Sequence, residues 1–127
     1  MARTLARPDG GRVEDSIAVV AGPDQHGLGE ELAALGVEVR RIDGLVTADA
    51  LADAGIDEAD YFVLTDVEEA TGIPIAKELQ PSVLVVTYAE RSLPAFVATV
   101  ADLAVDPDLL GPETVAEELT GDDETDL

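Results

Sequence analysis

The sequence predicts an α/β domain of the doubly wound, three-layer kind, Rossmann-like or flavodoxin-like, with a five-stranded parallel sheet in the order 2-1-3-4-5. Three observations carry that expectation. Apolar runs alternate with helix-period segments along the whole of a 127-residue chain, as βαβ units require. The runs IAVVA, YFVL and VLVVT are continuous rather than alternating, which suits strands covered on both faces. The links are short, and right-handed crossovers leave few strand orders, of which 2-1-3-4-5 is the favoured one.

Residues 1–15 hold Pro8, Gly10 and Gly11 without periodicity and read as a flexible leader. The domain is expected to span residues 16–119. Its first strand is Ile17 to Ala21. A helix follows with Leu28, Leu32 and Leu35 on one face and Gly36 as its stop. Val37 to Ile42 reads as a second strand, and Arg40 and Arg41 within it suit an edge. Thr47 is placed to cap a short helix that carries Leu51 inward and stops at Gly55. The third strand is Tyr61 to Leu64. In VEEATGIPIAKEL, Pro74 cannot lie deep in a helix, so the helix is expected to start near Thr71 and to bury Ile75 and Leu79. Val83 to Thr87 is the fourth strand. Ser92 would cap a helix bearing Phe96, Val97 and Val100, Leu103 to Val105 is a short fifth strand, and Gly111-Pro112 opens a last helix with Val115 and Leu119. Residues 120–127 read as an acidic disordered tail.

Composition narrows the function classes. The absence of cysteine removes disulfides, thiolate metal sites and a cysteine nucleophile. No apolar run has the length of a membrane span or the form of a signal peptide, so a soluble cytoplasmic protein is the expectation. Twenty-eight acidic residues against seven basic ones give a net charge of −21, a field that repels nucleic acid and anionic membranes. Acid spread along the whole chain resembles the composition of salt-in halophile proteins and predicts salt-dependent folding. A basic arm formed by Arg3, Arg7 and Arg12 has the charge to dock on an acidic surface.

The stretch Ile17 to Leu32, IAVVAGPDQHGLGEEL, is where a phosphate would bind. A strand that passes through a glycine turn into a helix aims free backbone N–H groups at the carboxyl edge of the sheet. Gly22, Gly27 and Gly29 supply the turn, and Asp43 ends the second strand. The full G-x-G-x-x-G is absent, and Asp24 stands where a phosphate would, repelling it unless a cation bridges the two. Thr65, Asp66, Glu68 and Glu69 gather at the neighbouring strand end. With Asp24 they have the oxygen ligands of a hard cation site, although N-capping by Asp66 is the simpler role. His26 is the single histidine. No nucleophile–base spacing, zinc motif, P-loop or hydrolase motif is present, so no enzyme is predicted.

From Leu51 onward, an AGI-x-x-AD lead into a strand, Thr65-Asp66 at its end, AKEL followed by Pro81, and a late Asp-Pro resemble the TrkA-N, or RCK N-terminal, domain. The resemblance covers about half of the chain. It implies a Rossmann-type fold binding NAD(P) or an adenine nucleotide through Gly22, Asp24, Gly27, Gly29, Asp43, Thr65 and Asp66. Two departures from that family stand out: the degenerate glycine turn, and a missing helix and strand after Gly44. Five strands in this order also describe a receiver domain, with Asp66 at the phosphoacceptor place and Thr87 ending the fourth strand. A receiver's acidic pair after the first strand and its lysine after the fifth are replaced by Ala21-Gly22 and Asp106-Pro107. The functional expectation is a stand-alone TrkA-N-like regulatory or nucleotide-sensing module without catalysis. The alternatives are an interaction scaffold that has lost the pocket, with a homodimer through an outer helix as one form of it, and a degenerate receiver-like domain.

Overall fold

The computed structural model describes residues 16–42, 45–66, 71–89 and 101–120. The expected helix at Ser92, the leader and most of the acidic tail lie outside them. Five strands form one parallel sheet in the order β2-β1-β3-β4-β5: β1 Ile17–Ala21, β2 Glu38–Ile42, β3 Tyr61–Leu64, β4 Leu84–Tyr88 and β5 Leu103–Val105. Four α-helices are described, α1 Leu28–Ala34, α2 Ala48–Asp53, α3 Gly72–Leu79 and α4 Pro112–Thr120, with a 3₁₀ turn at Ile56–Glu58.

Strand periodicity divides the core into two layers. Val19, Ala21, Phe62, Leu64 and Val85 face α2 and α3, packing with Leu51, Ile73 and Ala76. Ala18, Val20, Tyr61, Val63 and Val86 face the other way, onto Leu28 and Leu32 of α1 and Val115 and Leu119 of α4. Continuous apolar strands are what two covered faces demand, since no position can be given to solvent.

Local chemistry sets the element ends. Thr47 caps α2 by accepting from the Ala50 N–H at 3.0 Å. Gly36, at φ 102°, ends α1 in a conformation that favours glycine. Lys77, the single lysine, bridges α3 to the far edge: its Nζ lies 2.7 Å from Asp102 Oδ2 and donates to the Val83 carbonyl. Both tyrosine hydroxyls reach the C-terminal segment, Tyr61 to the Leu119 carbonyl at 3.0 Å and Tyr88 to the Leu110 carbonyl at 2.8 Å.

Two expectations need correction. Helix α3 buries Ile73 and Ala76, whereas Ile75 is half-buried and Leu79 is 40 % exposed. The reason is Gly72, which sits so close to Val46 that a Cβ would clash with its Cγ1; this contact turns the 72/73/76 face inward. The last helix also takes in Thr120, expected as the first residue of the tail, whose buried Oγ1 donates to the Ala116 carbonyl at 3.0 Å.

Candidate functional site

In a sheet of this order, ligands enter at the carboxyl ends of the strands, where the strand order reverses between β1 and β3. The structure brings Gly22, Asp24, Gly27, Gly29, Thr65 and Asp66 to that place. Asp43, Glu68 and Glu69 lie outside the described residues.

The crevice between β1 and β3 is stapled. Thr65 Oγ1 donates to the Ala21 carbonyl at 3.0 Å and accepts from the Asp24 N–H at 3.2 Å. Gly22, at φ 102°, lets the turn press against it: a Cβ there would strike Thr65 Oγ1 and come within 3.1 Å of the Asp66 nitrogen. Glycine serves here to bring two strand ends together.

The helix amides are also taken. Gly27, at φ 77°, begins α1 and donates to the Asp24 carbonyl. Asp24, itself at φ 51°, folds its carboxylate back so that Oδ1 accepts from the Leu28 N–H at 2.9 Å and Oδ2 from the Gly29 N–H at 3.0 Å. Arg41 completes the arrangement, its Nη1 lying 3.0 Å from the same Oδ2. The Asp24 side chain is 4 % exposed. An internal carboxylate therefore holds the two amides and the guanidinium that a phosphate would need. Gly29 gives it room, because a Cβ there would stand 2.9 Å from Asp24 Oδ2 and 2.7 Å from Arg41 Nη2.

Tyr88 closes the neighbouring strand end. Burial raises its hydroxyl pKa above the ordinary tyrosine value, and the Asp24 charge adds in the same direction. The His26 ring meets the Tyr88 ring edge-to-face, centroids 5.8 Å apart.

The sequence reads Asp24 as a charge that repels a phosphate; the structure has its carboxylate bound to the Leu28 and Gly29 amides and to Arg41. Sequence spacing does not display Arg41 as its partner, although the 2-1 strand order sets Arg41 beside Val20, next to the end of β1. Helix α3 opens at Gly72 after Thr71, and residues 67–70, which an N-cap at Asp66 would serve, lie outside the described residues. Among the described residues no group of acids or histidines is arranged to hold a metal, and Asp24 is committed to the amides. No helix among them is long and apolar enough to cross a membrane.

The model of a family of unknown function (DUF7126) matches residues 18–119. No curated protein matches the chain. Among solved structures, a pilus assembly-related protein from Burkholderia pseudomallei aligns with TM-score 0.64 and 16 % identity over 86 % of this chain and 90 % of its own. A response regulator from the same organism, solved with a phosphorylated aspartic acid, calcium and citrate, aligns with TM-score 0.63 and 18 % identity over 83 % of this chain and 66 % of its own. A pilus assembly protein from Burkholderia thailandensis aligns with TM-score 0.60 and 16 % identity over 82 % and 93 %. At these identities the likeness is one of fold: an α/β flavodoxin-like architecture shared with these three proteins.

Proposed function

The chain belongs to the DUF7126 family, of unknown function, and from that premise we propose that it is a receiver-like regulatory domain that performs no chemistry and acts by presenting its surface to a partner. The observation that carries this reading is the Asp24 carboxylate seated on the Leu28 and Gly29 amides and on Arg41. A ligand phosphate would have to displace a buried, triply bonded anion that is covalently part of the chain and so present at high effective concentration. Phosphotransfer to Asp66 lacks its supports as well. Ala21-Gly22 offers no carboxylate for a metal, and Asp106-Pro107 supplies no cation for the developing charge.

The TrkA-N-like text of residues 51–107 favours a second reading, a nucleotide sensor, in which Asp24 must swing out before ligand enters. Melting of the full chain with magnesium and beryllium fluoride, and separately with millimolar NAD, NADP, ATP or AMP, tests both. Unchanged melting in every case is the expected result. Stabilisation by a nucleotide would establish the sensor instead, and stabilisation by beryllium fluoride that Asp66→Ala abolishes would establish a working receiver.

A further inference from the structure

The two edges of the sheet are guarded unequally. Edge strand β2 carries Arg40 and Arg41, with Arg40 Nε bonded to Glu38 and Nη1 to the Ala54 carbonyl, the charged edge that deters strand pairing. Edge strand β5 is Leu-Ala-Val without a charge, and Leu103 is 38 % exposed. The turn after it exposes Leu109 by 80 % and Leu110 by 42 %. These leucines share one surface stretch with Asp106, Asp108 and Glu113. The stretch is preformed: the Leu109 N–H donates to the Asp106 carbonyl, the Asp108 N–H to Asp106 Oδ1, and Tyr88 holds the Leu110 carbonyl.

Among the described residues the charge around it meets no free cation. The basic residues among the described residues are Arg40, Arg41 and Lys77, and each is already paired, with Glu38, Asp24 and Asp102. We propose that β5 and the turn 106–110 form a docking surface for a partner-protein segment in which aliphatic residues alternate with arginine or lysine, laid along β5 as an added strand. Backbone pairing to β5, an edge strand among the described residues, supplies affinity, the exposed leucines take the aliphatic side chains, and the acidic rim takes the cations. A second copy is disfavoured as occupant because it brings the same acidic rim and another net charge of −21. This inference concerns the sheet edge and stands whether or not the mouth at Asp24 is closed.

The test titrates the full chain with two peptides of equal charge, acetyl-Arg-Val-Arg-Leu-Arg-Val-Arg-amide and its counterpart with serine in place of the aliphatic residues. Affinity is read by anisotropy, and the contact surface by backbone amide shifts. The aliphatic peptide is expected to bind at least about tenfold more tightly, a difference of about 1.4 kcal/mol, and to perturb amides 103–113. Leu109→Asp/Leu110→Asp, at exposed positions that leave the fold intact, is expected to reduce it to the level of the serine peptide, as is the edge-guarding Leu103→Lys. Equal affinity of the two peptides, indifference to both variants, or perturbations centred elsewhere would overturn the proposal. So would concentration-dependent dimerisation that Leu109→Asp/Leu110→Asp abolishes. Movement of the 103–113 amides on Arg3→Ala/Arg7→Ala/Arg12→Ala without peptide would name the chain's own arm as the occupant.

Discussion

At the scale of single residues, Asp24 does what a bound anion does at a helix N-terminus. Its carboxylate is buried and accepts from two helix amides and one guanidinium, so removing it leaves donors without an acceptor as well as losing the attraction. Asp24→Ala is expected to cost about 1–3 kcal/mol in chemical denaturation. Arg41→Ala should cost less, about 1 kcal/mol or below, because its side chain is 42 % exposed and solvent screens the pair. An Asp24→Ala protein as stable as the wild type would mean that water satisfies the amides equally well. Tyr88 gives a second prediction with a definite sign. Its pKa is raised in the folded state, so its stabilising contribution is complete below the unfolded value of about 10 and is lost as pH rises through the higher folded value. Tyr88→Phe should therefore be less stable at neutral pH by about 0.5–1.5 kcal/mol for the lost bond to Leu110. It should also lose less stability than the wild type between neutral and strongly alkaline pH. Parallel alkaline profiles for the two proteins would remove Tyr88 as the titrating group.

At the scale of elements, local signals and long-range contacts had different visibility. β1, β3 and β5 lie where the apolar runs place them, and Thr47, Gly36 and Gly55 end their elements as their side chains or positive φ values require. Those outcomes depend on neighbours in sequence, and sequence displays them. The inward face of α3 does not. Pro74 locates the helix start, but Ile75 and Leu79 form as plausible an apolar pair as Ile73 and Ala76 until Gly72 meets Val46 from another part of the chain. The role of Asp24 was half legible for the same reason. Its place in the turn is local, while Arg41 arrives through strand pairing and Thr65 from the next strand. The α3 assignment is directly measurable. Ile73→Ala, at a fully buried site, should cost about 2–5 kcal/mol, whereas Leu79→Ala at a 40 % exposed site should cost under about 1 kcal/mol. The reverse ranking in urea denaturation would restore the 75/79 face as the buried one.

At the scale of the whole molecule, the fold and the charge pull against each other. Two well-filled apolar layers favour the compact chain, while a net charge of −21 concentrates like charge when it folds. Seven basic residues cannot answer twenty-eight acidic ones, and the pairs of Arg40, Arg41 and Lys77 each lie at least partly in solvent, so local pairing cannot offset the repulsion. Mobile ions can, because the screening length falls from about 30 Å at 0.01 M salt to about 3 Å at 1 M. The melting temperature should therefore climb steeply with sodium chloride over that range at pH 7. The competing cause is exclusion of salt from the surface, which strengthens apolar burial whatever the net charge. Acidification separates the two causes: near the isoelectric point of about 4.1 the net charge vanishes, so a screening effect shrinks there while an exclusion effect persists. A salt slope that collapses on approach to pH 4.1 is the expected result, and an equal slope at both pH values would show that self-repulsion is not what salt relieves.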